Sequence, residues 1–162
     1  MSIDTEKTIR EYLPQIVHMS LATTRDGKPW VCEVHFAYDD DLNLYFRSLT
    51  SRRHSQEIAE NANVAGNIVT QHFLGQPVRA VYFEGTAKKL EAGEEQDKAF
   101  EALSKRLHVG GEIMEEAQRP DGHQFYKIAV DTFYLFDSYT PKPSQKYELQ
   151  WNGGKKRASV RQ

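Results

Sequence analysis

Apolar and polar residues alternate with a period of two along most of this chain, and segments of helical period interrupt the alternation at a few places. Residues 4–17 are the first interruption. Ile9, Leu13, Ile16 and Val17 fall on one side of a helix that Pro14 kinks or ends. Residues 18–24 then predict a strand closed by the turn Arg25-Asp26-Gly27-Lys28. In residues 30–38, Trp30, Cys32, Val34 and Phe36 alternate with Val31, Glu33, His35 and Ala37. After the acidic turn Asp39-Asp40-Asp41, residues 42–48 set Leu42, Leu44 and Phe46 against Asn43, Tyr45 and Arg47. Turns between alternating runs describe an antiparallel meander.

Ser51 is a suitable N-cap for the next helix, and residues 56–62 carry Ile58, Ala59 and Ala62 for its buried face. Strands are predicted over 64–70 and, after Gly75-Gln76-Pro77, over 78–90, where Gly85 marks a bulge or tight bend. Residues 94–107 read as a helix with an acidic start, Lys105 and Arg106 near its end, and Phe100, Leu103 and Leu107 on its core face. Gly110 or Gly111 would stop it, and residues 112–117 add a further turn. Beyond Pro120-Asp121-Gly122, runs 125–130 and 132–138 flank Asp131, as two strands or one bent strand. A stiff loop at Pro141-Lys142-Pro143 precedes a last strand over 146–151. Six to eight short strands with inserted helices point to a mainly β, closed or nearly closed antiparallel barrel. No repeat or linker appears, so residues 1–151 read as one domain and residues 152–162 as a basic solvated tail.

Composition narrows the function classes. A chain of 162 residues, 39% hydrophobic and 27% charged, buries a core without staples. A net charge of −2 argues against nucleic acid as the partner. Cys32 is the sole cysteine, which excludes an intrachain disulfide, and its apolar neighbours make it a small buried hydrophobe. No apolar run approaches the roughly 20 residues of a membrane span, and no signal-peptide core opens the chain, so the expected location is the cytoplasm, with no membrane partner. The six histidines fall at no close ligand spacing. Phosphate-loop glycines and a nucleophile elbow are also missing. The glutamates of 91–95 and 112–116 read as solvated helix starts.

What remains is the strand–loop–helix run from Phe46, Arg47 and Ser48 through Thr50 and Ser51 to Arg52, Arg53 and His54. A helix N-terminus already carries partial positive charge, so added cations cost a few tenths of a kcal/mol, up to about 1 each. Free N–H groups, hydroxyls and guanidinium forks together suit a phosphate. The other reading is a surface loop whose arginines point into water. Arg79 and Lys127 are further cations for such a site, although Arg79 also reads as an outward-facing barrel charge. Tyr147 and Trp151 suit either stacking on an aromatic ligand or an amphipathic edge or dimer contact.

In its ordered motifs the chain resembles the pyridoxamine 5′-phosphate oxidase-like split-barrel flavoproteins. The resemblance runs over residues 16–151. It rests on Met19-Ser20-Leu21-Ala22-Thr23-Thr24 with Gly27-Lys28-Pro29, Val34-His35-Phe36 with Leu44-Tyr45-Phe46, Ser51-Arg52-Arg53 with Asn61-Ala62-Asn63-Val64-Ala65, and the stretch from Val81 to Leu90. It implies a six-stranded antiparallel split barrel and a homodimer, with FMN in two equivalent clefts at the subunit interface. Ser51, Arg52 and Arg53 match the family's phosphate motif, and Phe46, Arg47 and Ser48 match the strand along the flavin or its ribityl chain. Arg79 falls near a second phosphate-side position, with Ala80 where oxidases often carry glutamine. Vitamin B6 oxidases end in an Arg-x-His segment, whereas this chain reads Tyr147-Glu148-Leu149-Gln150-Trp151.

The resemblance therefore implies an FMN-dependent oxidoreductase that uses a small substrate or redox partner other than a B6 vitamer, with hydride passing at flavin N5. Three rivals stand beside it. One is a flavin or haem carrier or sensor without a substrate, with His72 or His123 as iron ligand. Another is a deazaflavin enzyme, whose longer acidic tail would want more cations. The third is a cofactor-free domain, which leaves the cationic helix start unexplained.

Overall fold

The computed structural model describes residues 3–138 and 145–154. Its first helix, α1 (Thr5–Tyr12), is shorter than the pattern predicts. Asp4 caps it by accepting from the Lys7 amide at 3.0 Å, and Pro14 turns the continuation into a 3-10 turn over Leu13–Gln15. Strands β1 (His18–Arg25) and β2 (Lys28–His35) form a hairpin. Its two-residue loop has positive φ at both Asp26 (51°) and Gly27 (71°), the geometry that suits the right-handed twist of a hairpin.

The predicted run over 30–38 breaks at Phe36. That residue is fully buried and its amide bonds back to Val17 O at 3.0 Å, and the chain then pairs as β3 (Ala37–Tyr38) with β4 (Leu44–Ser48). β4 starts at Leu44 because Leu42 has φ 56° in the acidic turn, where the Asp39 carboxylate accepts from the amides of Asp41 and Asn43. Strand order is β2-β1-β5-β6-β7-β4-β3, every pairing antiparallel, with β5 (Asn63–Val69), β6 (Arg79–Lys89) and β7 (Gln124–Asp137) in the middle. The two outer strands of that order, β2 and β3, are joined through Phe36 alone. A short link between opposite edges forces the sheet to curl, giving the antiparallel split barrel with inserted helices.

The strands number eight rather than six, for two reasons. The break at Phe36 divides one run into β2 and β3. The long β7 also shares one edge between β4, on its first half, and β8 (Gln145–Gln150), on its second. β7 is a single strand. Its pairing with β6 moves from Glu84↔Thr132 to Gly85↔Val130, which leaves Asp131 as the bulge residue. A side chain at position 85 would meet Ala129 O at 2.2 Å, so this close approach requires glycine.

Helix α2 (Arg53–Glu60) begins earlier than predicted, with Arg52 rather than Ser51 at the N-cap and no side-chain cap. Its buried face is accordingly His54, Ser55, Glu57 and Ile58, while Ala59 and Ala62 are exposed. Helix α3 (Glu94–Leu107) matches the predicted bounds, and it stops at His108 in the left-handed conformation (φ 55°), before either glycine. Helix α4 (Glu112–Ala117) follows.

The barrel interior packs Met19, Leu21, Leu44, Phe46, Ile68, Phe83, Tyr126 and Phe133 beneath Ile9 and Leu13. A second cluster puts Ala99 and Leu103 of α3 and Ile113 of α4 against Tyr45 and Phe125 on the outer face of β4 and β7. Tyr45 is thus buried on the face the alternation reads as polar. Each such fully buried side chain contributes about 1.5–3 kcal/mol. Asn152–Gly154 form a 3-10 turn, while the Pro141–Pro143 loop and residues 155–162 of the basic tail lie outside the described residues. Among the described residues no helix is long and apolar enough to cross a membrane.

Candidate functional site

The loop from β4 to α2 forms one wall of a cleft of about 990 Å3. β2 supplies the opposite wall with Trp30, Cys32 and Val34, and the end of α3 closes it with Leu103, Leu107 and Val109. One end is therefore cationic and hydroxyl-lined, and the flanks are apolar.

The cations differ in what already holds them. Arg53 Nε donates to Glu57 Oε2 at 2.8 Å, and its guanidinium lies over the Trp30 ring at 4.2 Å. Glu57 is buried, also accepts from Thr23 Oγ1 at 3.0 Å, and has its pKa held below the usual range chiefly by the Arg53 hydrogen bond. Arg47 is paired with Glu116 and packs over Phe125, while its buried Nε has no hydrogen-bond partner among the described residues. Arg106 donates to the carbonyls of Leu13, Ile16 and Phe36 and sits between Phe36 and Tyr38, so it ties α3 to the barrel. Arg52 is exposed and makes no side-chain hydrogen bond or ion pair among the described residues, although it lines the same cleft.

Beside these lies a buried polar chain. Ser48 Oγ is 2.7 Å from His54 Nε2 and accepts from Ser55 Oγ at 3.0 Å. Burial first, then the Arg52 cation, push the His54 pKa below its ordinary value, against a smaller opposing pull from Glu57. On the far side of Arg47, Glu116 Oε1 accepts from the His123 amide at 3.0 Å and meets His123 Nδ1 at 2.6 Å. Those two bonds, with help from Arg47, hold the Glu116 pKa at about 2. A ring fixed through Nδ1–H leaves Nε2 as a free lone pair. Cys32 lines the cleft half-buried, and burial pushes its thiol up to about 11, so it is not a thiolate at neutral pH.

Of the residues named from sequence, the structure brings Arg47, Ser48, Arg52 and Arg53 together in the cleft. Thr50 and Ser51 sit exposed on the loop but do not line it. Phe46 is fully buried and stacks on Tyr126 at 5.0 Å, because alternation along β4 turns it into the barrel and Arg47 out of it. Arg79 and Trp151 lie away from the cleft. Arg79 pairs with the buried Asp137 at 3.1 Å near Tyr12, and Trp151 Nε1 donates to Asp41 O at 2.6 Å. Lys127 is engaged by Glu95 at 2.9 Å. Trp30 and the end of α3 are the cleft residues that the sequence pattern leaves out, while His54 belongs to the predicted loop and His123 to the iron-ligand alternative. Only long-range packing assembles them, although Trp30 facing an arginine-rich loop is a signal in hindsight. Among the described residues no group of three or more histidine, cysteine or acidic side chains is arranged for a metal.

The family model of pyridoxamine 5′-phosphate oxidase matches residues 5–137. UPF0306 protein YhbP of Escherichia fergusonii is 28% identical over 108 residues, which is 66% of this chain and 73% of that protein. Among solved structures, Campylobacter jejuni ChuZ superposes with a TM-score of 0.73 at 16% identity, and a heme binding protein from Mycobacterium smegmatis with 0.72 at 15%. They cover 93% and 95% of this chain respectively, but the chain spans only 61% of either protein's length. A FAD-binding protein from Mesorhizobium loti gives 0.59 at 23% identity, covering 82% of this chain and 92% of its own. These likenesses concern the fold. The family match spans both barrel halves and the arginine loop between them, so the chain belongs to the pyridoxamine 5′-phosphate oxidase family.

Proposed function

We propose that this protein is an FMN-binding split-barrel flavoprotein, a homodimer that acts as an oxidoreductase on a small substrate or redox partner. The observation that carries this reading is Arg52, a cation without a partner among the described residues, in a cleft where Arg47, Arg53 and Arg106 each have one. Fit to a phosphorylated planar cofactor is supported by the orphaned buried Nε of Arg47 and by apolar flanks at Trp30, Val34 and Leu107. Ser48, Arg52 and Arg53 would hold the phosphate, with Thr50 and Ser51 at its solvent side. Bound FMN would supply hydride exchange at N5. The protein's own part is to position the ring, screen it from water and neutralise the phosphate. Val31, 60% exposed on β2 beside Trp30, is an apolar edge that a second copy would cover, consistent with a cofactor at the interface.

A second reading is haem binding. It is favoured by His123, whose Nε2 is free while Glu116 holds Nδ1, the arrangement common to imidazole metal ligands. His72 is exposed outside the cleft, 3.3 Å from Thr70 O, and has no such support. The absorption spectrum of freshly purified protein, with chromatography of what acid releases, tests both. FMN near one per subunit supports the first reading, a haem band that vanishes in His123→Ala supports the second, and a colourless protein that refuses both refutes them.

A further inference from the structure

The polar chain behind the arginine loop has an adjustable member. Ser48 Oγ accepts from Ser55, which leaves it one proton to donate and one more bond to accept. With a neutral imidazole that carries its proton on Nδ1, the Ser48 proton goes to His54 Nε2 at 2.7 Å. Its other acceptor among the described residues is Leu49 O at 3.3 Å, long for an O–H donor. An imidazolium cannot accept, so its Nε2–H must donate to Ser48 instead. The Ser48 proton then turns elsewhere, and Ser48 lines the cleft.

We propose that His54 is a proton-linked positioning residue for the anion end of the cleft: a phosphate-bearing ligand at Arg52 draws one proton onto the imidazole, which reverses the His54–Ser48 hydrogen bond and aims the Ser48 hydroxyl at the ligand. This rests on the phosphate reading of the arginine loop and adds its regulation. The proton comes from solvent and no other bond is made or broken.

The charges around His54 fix the sign. Arg52 precedes it and disfavours a second cation, and Glu57 one turn on opposes that more weakly. Arg53 is neutralised by Glu57, and Arg47 on β4 by Glu116. Across the cleft β2 brings Glu33 and His35. His123 stands at the start of β7 and is held by Glu116, and α3 ends with the carbonyl-bound Arg106 and with His108. A dianion at Arg52 cancels the main electrostatic obstacle, so binding and protonation reinforce each other. The His54 contribution to affinity is therefore present at low pH and is lost as pH rises through the titration of the ligand-bound imidazole. The ligand phosphate titrates near pH 6 in the opposite sense, equally for every variant.

Calorimetric titration of the full chain with FMN at pH 6.5, in two buffers of different ionisation heat, reads protons taken up per ligand. The wild type should take up more protons per ligand than His54→Gln, whose amide keeps a donor to Ser48. A second measurement needs no variant: the His54 ring signals in the NMR spectrum should titrate at higher pH with FMN bound than without. FMN binding with equal proton uptake in both proteins and an unmoved His54 titration overturns the inference and leaves the phosphate clamp standing. Failure of FMN to bind the wild type overturns the clamp itself, and the inference with it.

Discussion

Arg52 and Arg53 are adjacent cations of one loop, but their surroundings make their replacement by alanine separable. Arg52 is exposed and partnerless among the described residues, so Arg52→Ala should change stability by no more than about 0.5 kcal/mol. Its removal even relieves the helix start of an unfavourable charge. A charge-assisted hydrogen bond to phosphate is worth about 1.5–3 kcal/mol, so the FMN Kd should rise about 10- to 150-fold. Arg53→Ala removes a comparable contact and also the 2.8 Å bond to a carboxylate only 2% exposed, together with a stacking contact on Trp30 worth about 0.5–1 kcal/mol. That variant should lose affinity and melt earlier, because Glu57 keeps Thr23 alone. Flavin fluorescence quenching gives both dissociation constants, and thermal melts of the apo proteins give both stabilities. An Arg52→Ala protein whose Kd stays within about twofold of wild type would refute the phosphate clamp.

Two further outcomes concern the frame around the site. Glu95, held by Lys88 and Lys127, and Glu116, held by His123 and Arg47, both lie near a pKa of about 2 against an ordinary 4.5. Lowered carboxylates stabilise the fold above their ordinary pKa and lose that contribution as pH falls toward the folded value. Stability should therefore decline from about pH 4.5 to 2, and Glu95→Gln with Glu116→Gln should flatten the decline in urea melts taken across that window. Gly85→Ala sets a methyl 2.2 Å from Ala129 O at the β6–β7 bulge, and should cost about 1–3 kcal/mol in a denaturant titration; an unchanged midpoint would mean that the bulge yields freely.

Periodicity carried the fold further than the site, for a reason visible in β4. Alternation shows which residues share a face and leaves open what covers each face. It set Leu44 and Phe46 apart from Tyr45 and Arg47 correctly, yet both faces are covered, by the barrel interior on one side and α3 on the other. The Phe46 side chain is therefore sealed in the barrel interior, while Arg47, its neighbour on the same strand, is turned into the cleft. The arginine loop was legible because it contradicts a local rule, cations at a helix start with no acidic residue in its first turn. Its opposite wall was not, since Trp30 on β2 and Leu107 on α3 meet only after the chain crosses between the sheet edges at Phe36 and α3 docks through Arg106. The pairing of Glu116 with His123 was hidden by its ordinary setting, an acidic helix and a turn. Nothing local signals that Gly122 lies so close to Glu116 O that a side chain there would approach to 2.1 Å, bringing His123 against the carboxylate. The loop by itself is a cation cluster. β2 and α3 place Arg52, exposed and partnerless among the described residues, on the wall of a cleft, and that placement is what an affinity measurement on Arg52→Ala interrogates.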